Sequence, residues 1–80
     1  MMIKPHKYLN LDLSVLSISG LILYILKRMN IMKYDELLNK VLLARGESAK
    51  EVFIPSLGFL YLLGKIEYHQ DIDAIEYIIL

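Results

Sequence analysis

The stretch EVFIPSLGFLYLLGKIEYHQDIDAIEYIIL, residues 51–80, decides the fold. Its first half is apolar almost without interruption up to Gly64, as a buried helix would be. Its second half breaks into two short runs around QDID. In KIEYH, Ile66 and Tyr68 share one face and Glu67 and His69 the other, the period of two that marks a half-buried strand. AIEYIIL begins with the same alternation and ends apolar on both faces. A helix running into a hairpin is how a winged helix-turn-helix domain presents its recognition helix and wing. The charge has the wrong sign for DNA, however. From Glu51 onward Lys65 is the only basic residue, against Glu51, Glu67, Asp71, Asp73 and Glu76, a formal −4.

Upstream elements complete that order. Residues 1–10, MMIKPHKYLN, read as an N-terminal arm, with Pro5 discouraging helix before it. Asn10 or Asp12 can cap a first helix over residues 12–29. Its main apolar stripe is Leu11, Val15, Ile18, Ile22, Ile25 and Met29, at the spacing of a buried helical face. A second stripe, Leu13, Leu16, Gly20 and Leu23, lies on the far side, and one buried face needs only the first.

Residues 31–33 are expected as a short strand that pairs with the wing. Asp35 and Glu36 suit the first turn of a second helix, with Lys40 and Arg45 toward its end, matching the helix dipole. Gly46 is a natural stop. Ser48 and Glu51 have capping-box spacing. Pro55 lacks an N–H for the helical ladder, so the third helix is expected to begin near Ile54 after one loose turn. Helix, short strand, helix, helix and hairpin is the winged-helix order. The fold class expected is therefore mainly α with a small β-hairpin, one winged helix-turn-helix domain over residues 1–80 with the wing at 65–80. A three-helix bundle with a frayed tail is the runner-up.

Composition bounds the function. Eighty residues make one thin-cored domain. The 56% hydrophobic content is high for a chain with so much surface to cover, which an apolar face meeting a partner and a generous core in a thin protein explain equally well. Without cysteine, disulfides, thiol catalysis and thiolate zinc sites are excluded, which fits a cytoplasmic protein. Net charge is zero, but residues 1–50 carry +4 and the remainder −4. The run Leu13–Leu26 has 14 residues, four of them Ser or Gly, against the roughly 20 a spanning helix needs. No membrane association is expected.

Chemistry-bearing motifs are sparse. The chain has no phosphate-binding glycine loop, nucleophile elbow or H-E-x-x-H pair. His69, Asp71 and Asp73 alternate on a hairpin turn as a solvated face does, and a metal centre would want three or four ligands in a formed pocket. His6 sits between Lys4 and Lys7 on the arm, and Asp35 with Glu36 is accounted for by the helix start. No catalytic, cofactor-binding or metal-binding residue is assigned. Base reading needs Arg, Asn, Gln or Lys on the recognition helix, and VFIPSLGFLYLLG offers only Ser56 and Tyr61. Lys27, Arg28, Lys33, Lys40 and Arg45 would support at most weak, non-specific nucleic-acid contact. What remains is apolar surface, so partner binding is assigned to Leu13, Leu16, Gly20, Leu23, Tyr77, Ile79 and Leu80. The last three are an exposed edge strand unless residues 31–33 cover that edge. Self-association into a homo-oligomer would serve the same need.

The segments KPHKYLNLDLSVLSISGLIL, YDELLNKV and FIPSLGFLYLLGKIEYH resemble the small middle components of bacterial ABC-three-component systems, closest to the sixth type. The resemblance implies a non-catalytic winged-helix adaptor. Such a subunit would link an SMC/Rad50-like ABC ATPase to an effector protein in prokaryotic defence against phage and plasmids. The alternatives are a DNA-binding winged-helix transcriptional regulator, opposed by the −4 charge, and a toxin- or antitoxin-like protein using Leu13–Leu26 at a membrane, opposed by length and serines.

Overall fold

The computed structural model describes the backbone of residues 5–79 and the side chains of residues 13–79. Three helices and a three-stranded antiparallel sheet follow in the order α1 (Pro5–Met29), β1 (Ile31–Lys33), α2 (Tyr34–Arg45), α3 (Lys50–Leu62), β2 (Ile66–His69) and β3 (Ala74–Tyr77). A single 3-10 turn, Glu47–Ala49, leads into α3. This is the winged-helix order, mainly helical, with the sheet as wing.

The arm expected at residues 1–10 is helical from Pro5 on. Proline is at home in a first turn, where its missing N–H has no partner to lose and its φ is already helical. Residues 1–4 lie outside the described backbone. Burial on α1 is narrower than the expected stripe. Ile18, Ile22 and Leu26 are buried with Ser19 beside them, while Val15 and Ile25 are half-buried and Met29 is exposed. A spacing of four turns slowly around a helix of 3.6 residues per turn, and it brings Leu26 into the core in place of Met29. Leu11 lies outside the described side chains.

Gly46 ends α2 at φ 92°, where a side chain would be strained, and its N–H bonds to the Leu42 carbonyl. The expected capping box is absent. Ser48 falls inside the 3-10 turn, and Ala49 caps α3 with no side-chain hydrogen bond. The loose turn expected just before Ile54 is instead regular helix: α3 begins at Lys50, directly after the 3-10 turn, and continues through Pro55. The helix closes as a Schellman motif. Lys65 N–H reaches the Leu60 carbonyl at 3.0 Å and Gly64 N–H the Tyr61 carbonyl at 3.0 Å, with Gly64 at φ 74°.

Strand order in the sheet is β1–β3–β2, so β3 is central. β1 does cover the edge that was open from sequence, pairing Ile31 with Glu76, Met32 with Ile75 and Lys33 with Ala74. On the other side β2 pairs Ile66 with Tyr77 and Tyr68 with Ile75. Met32, Ile75 and Ile66 turn inward onto a core of Ile22, Leu26, Leu37, Val41, Phe53 and Leu60. Each of these large side chains contributes about 1.5–3 kcal/mol by leaving water. The Tyr34 ring meets Phe53 edge-on at 5.3 Å and 83°, tying the start of α2 to α3.

Candidate protein-interaction faces

Helix α3 occupies the recognition-helix position, and its two sides differ in kind. The inner side buries Phe53, Ser56 and Leu60. Ser56 does not face solvent. Its Oγ donates to the Val15 carbonyl at 3.3 Å, and Ser19 Oγ donates to the Ser56 carbonyl at 3.4 Å. Both bonds are long, but they leave neither hydroxyl unpaired in the α1–α3 seam. The outer side carries Ile54, 65% exposed, Tyr61, 62% exposed, and Leu62, 84% exposed, with Pro55 and Gly58 among them. The one cation of α3 is Lys50, at its first residue. Phosphate contacts require clustered Lys and Arg, and this face has none to give.

Between that outer side and the inner face of the wing runs a groove of about 620 Å³. Ile54, Gly58 and Tyr61 form one wall, and Ile66, Tyr68 and Ile75 the other. Its end, at the start of α2 and the hairpin turn, carries Asp35 and Asp73, and among the described residues no Lys or Arg lines it. Tyr68 Oη donates to Asp73 Oδ1 at 2.5 Å. That bond to a carboxylate is the main reason the phenol is pushed above its usual range. The groove is therefore apolar along its length and acidic at one end.

The second apolar face lies on α1. Leu13 and Leu16 are 60% and 54% exposed, and Gly20 is exposed with open space around it. Leu23, expected beside them, is half-buried against the core, and Tyr24 stands exposed on this side instead. Leu13 also lines a separate cleft of about 410 Å³, with Ser14, Ser48 and Arg45, whose guanidinium donates to Ser17 Oγ.

At the C-terminal strand, Tyr77 is half-buried against the core beside Ile66, and its N–H bonds to the Asn30 carbonyl at 2.8 Å. Ile79 is exposed just past the strand, and Leu80 lies outside the described residues. The structure thus divides the expected set. Leu13, Leu16, Gly20 and Ile79 are accessible, while Leu23 and Tyr77 serve the core. Sequence reasoning missed the helix–wing groove, because Ile54, Tyr61, Ile66 and Tyr68 meet only after the chain turns at Gly64.

The solvent face of the wing is acidic. Glu67 and Glu76 lie directly opposite one another, a repulsive pairing. His69 Nε2 is 2.6 Å from Glu76 Oε1, and this hydrogen bond, more than any other influence, raises the imidazole pKa. His69 is engaged there with a carboxylate. Among the described residues no group of three or more potential ligands gathers around a metal position. No helix among them is long and apolar enough to cross a membrane.

Residues 30–78 match the family model described as ABC-three component (ABC-3C) system Middle Component 8. The match supports the middle-component family and assigns the eighth type where the resemblance pointed to the sixth. No curated protein and no solved structure matches the chain.

Proposed function

The chain belongs to the family of ABC-three-component middle components of the eighth type, and on that premise we propose that it is a non-catalytic adaptor subunit. It joins an SMC/Rad50-like ABC ATPase to an effector by protein–protein contacts, in the cytoplasm, as part of a defence system. One observation carries this proposal. The side of α3 that would enter a DNA groove in a winged-helix reader is apolar, with Ile54, Tyr61 and Leu62 bare to solvent. Exposed apolar clusters of this kind mark interaction sites. An adaptor also needs two faces, and the Leu13–Leu16–Gly20 side of α1 supplies the second.

The test is co-expression with an ABC ATPase and an effector of the same system, followed by size-exclusion chromatography with light scattering. The expected result is one assembly containing all three chains. Leu62→Arg is expected to release one partner and Leu16→Arg the other. Full assembly with both variants, or no assembly with the unaltered chain, would reject the adaptor. A fluorescence-anisotropy titration with duplex DNA separates the regulator alternative, since sequence-specific nanomolar binding at physiological salt would favour it.

A further inference from the structure

Hydrogen-bond parity leaves outward main-chain groups on both edges of the wing, and the side chains beside them make the two edges unequal. In an antiparallel ladder, bonded and non-bonded pairs alternate. Ile78 N–H donates to the Lys65 carbonyl at 2.9 Å, so the pairs Glu67/Glu76 and His69/Ala74, in the same register, are bonded too. On the other side, Tyr77 N–H to the Asn30 carbonyl at 2.8 Å and Tyr34 N–H to the Asp73 carbonyl at 2.9 Å set the β1 ladder. It follows that the N–H and C=O groups of Ile66 and Tyr68 point away from β3. Among the described residues no other hydrogen bond takes them.

The side chains of those same two residues line the groove beneath the sheet. A strand laid along this edge would therefore find main-chain partners and a place for every second side chain at once. Opposite, Gly58 leaves room, since a Cβ there would meet nothing within 4 Å. The charges lining the groove, Asp35 and Asp73, are both negative. On the β1 edge, by contrast, Lys33 points out beside Ile31, and a lysine is a common guard against edge pairing.

We propose that β2 accepts an extended apolar segment of another protein as a fourth strand of the wing. Alternate side chains of that segment enter the α3–wing groove, and a Lys or Arg at its end meets Asp73 and Asp35. This rests on the protein-binding role proposed above for the same face, and names the conformation and charge of what binds there.

A titration of the isotope-labelled full chain followed by amide NMR decides it. The probe is a capped octapeptide with valine at alternate positions, threonine between them and one terminal lysine. Amide shifts and slowed exchange are expected at Ile66, Tyr68 and Gly58, and none at Ile31 or Lys33. Tyr68→Pro deletes an outward N–H without touching the ladder to β3, and should weaken binding about tenfold or more. Gly58→Arg, at an open helical position, should abolish it, as should lysine to glutamate in the peptide. Shifts confined to β1 or to the outer side of α1 would overturn the proposal. So would the absence of any shift at millimolar peptide, or binding unchanged by both variants. Assembly with the ATPase and effector is a separate readout, which judges the adaptor role alone.

Discussion

Helix α3 takes part in two contacts that could hardly differ more. Toward α1 it is packed along Phe53 and Leu60, and even the serines of the seam have partners, with a cleft opening at the Val52 end. Toward the wing it stands open, with a groove of about 620 Å³ walled by Ile54, Gly58 and Tyr61. One contact holds the fold, and the other is apolar surface the fold has not used. In a winged helix that binds DNA, the open side is where phosphate-binding charge belongs. This chain keeps that architecture and carries isoleucine, tyrosine and leucine at that side, which is what the proposed adaptor role would use.

Substitutions on the two sides should separate accordingly. The largest effect is expected for Phe53→Ala, which removes a fully buried ring and its edge-on contact with Tyr34. A loss of about 3–5 kcal/mol would lower the Tm by roughly 15–30 °C in a domain of this size. Circular-dichroism melts measure it, and a drop of only a few degrees would mean the seam is not what holds α3.

Ser56→Leu comes next. The serine is fully buried between helices, and three added carbons must push α1 and α3 apart at about 1–3 kcal/mol. Urea titration is the check, and an unchanged midpoint would show slack in the seam. Across the helix, Tyr61→Ala should move stability by no more than about 0.5 kcal/mol, as exposed positions do, while binding to the partner falls. If Tyr61→Ala destabilises as much as Ser56→Leu, the contrast between the two sides is lost.

The smallest effect belongs to the wing. The folded state raises the pKa of His69 through Glu76, so the imidazolium is favoured in the native protein. Its stabilising contribution is full below the unfolded value of about 6.5 and fades as pH rises through the higher folded value. The Tm should therefore fall slightly over that window, and His69→Gln should flatten the slope. An NMR titration of His69 with a midpoint at or below 6.5 would contradict it.

Much of this fold was legible because its signals are local. The alternation in KIEYH, Gly46 and Gly64 at positive φ, and the acidic start of α2 each act within a few residues. Pro55 misled because its penalty is local while α3 is held by tertiary packing of Phe53 and Leu60. The arm was misjudged for the converse reason, since Pro5 opens a helix as readily as it blocks one. The apolar end of the chain was no guide to the sheet, since Ile78 and Ile79 lie past β3; what makes β3 central is pairing with β1, 45 residues upstream at Ile31. The groove was least legible, for its walls come from α3 and β2 and no period within either element reports their meeting.

That separation of β1 from β3 has a consequence in time. The β2–β3 hairpin closes over a handful of residues, an event of microseconds, whereas joining Ile31 to Glu76 must close a loop of some 45 residues first. The order of events that follows is hairpin and helices early, β1 docking last, on the far side of the rate-limiting barrier. Met32→Ala should then speed unfolding and leave refolding nearly unchanged in stopped-flow chevrons. Refolding slowed in proportion to the lost stability would instead place β1 in the nucleus.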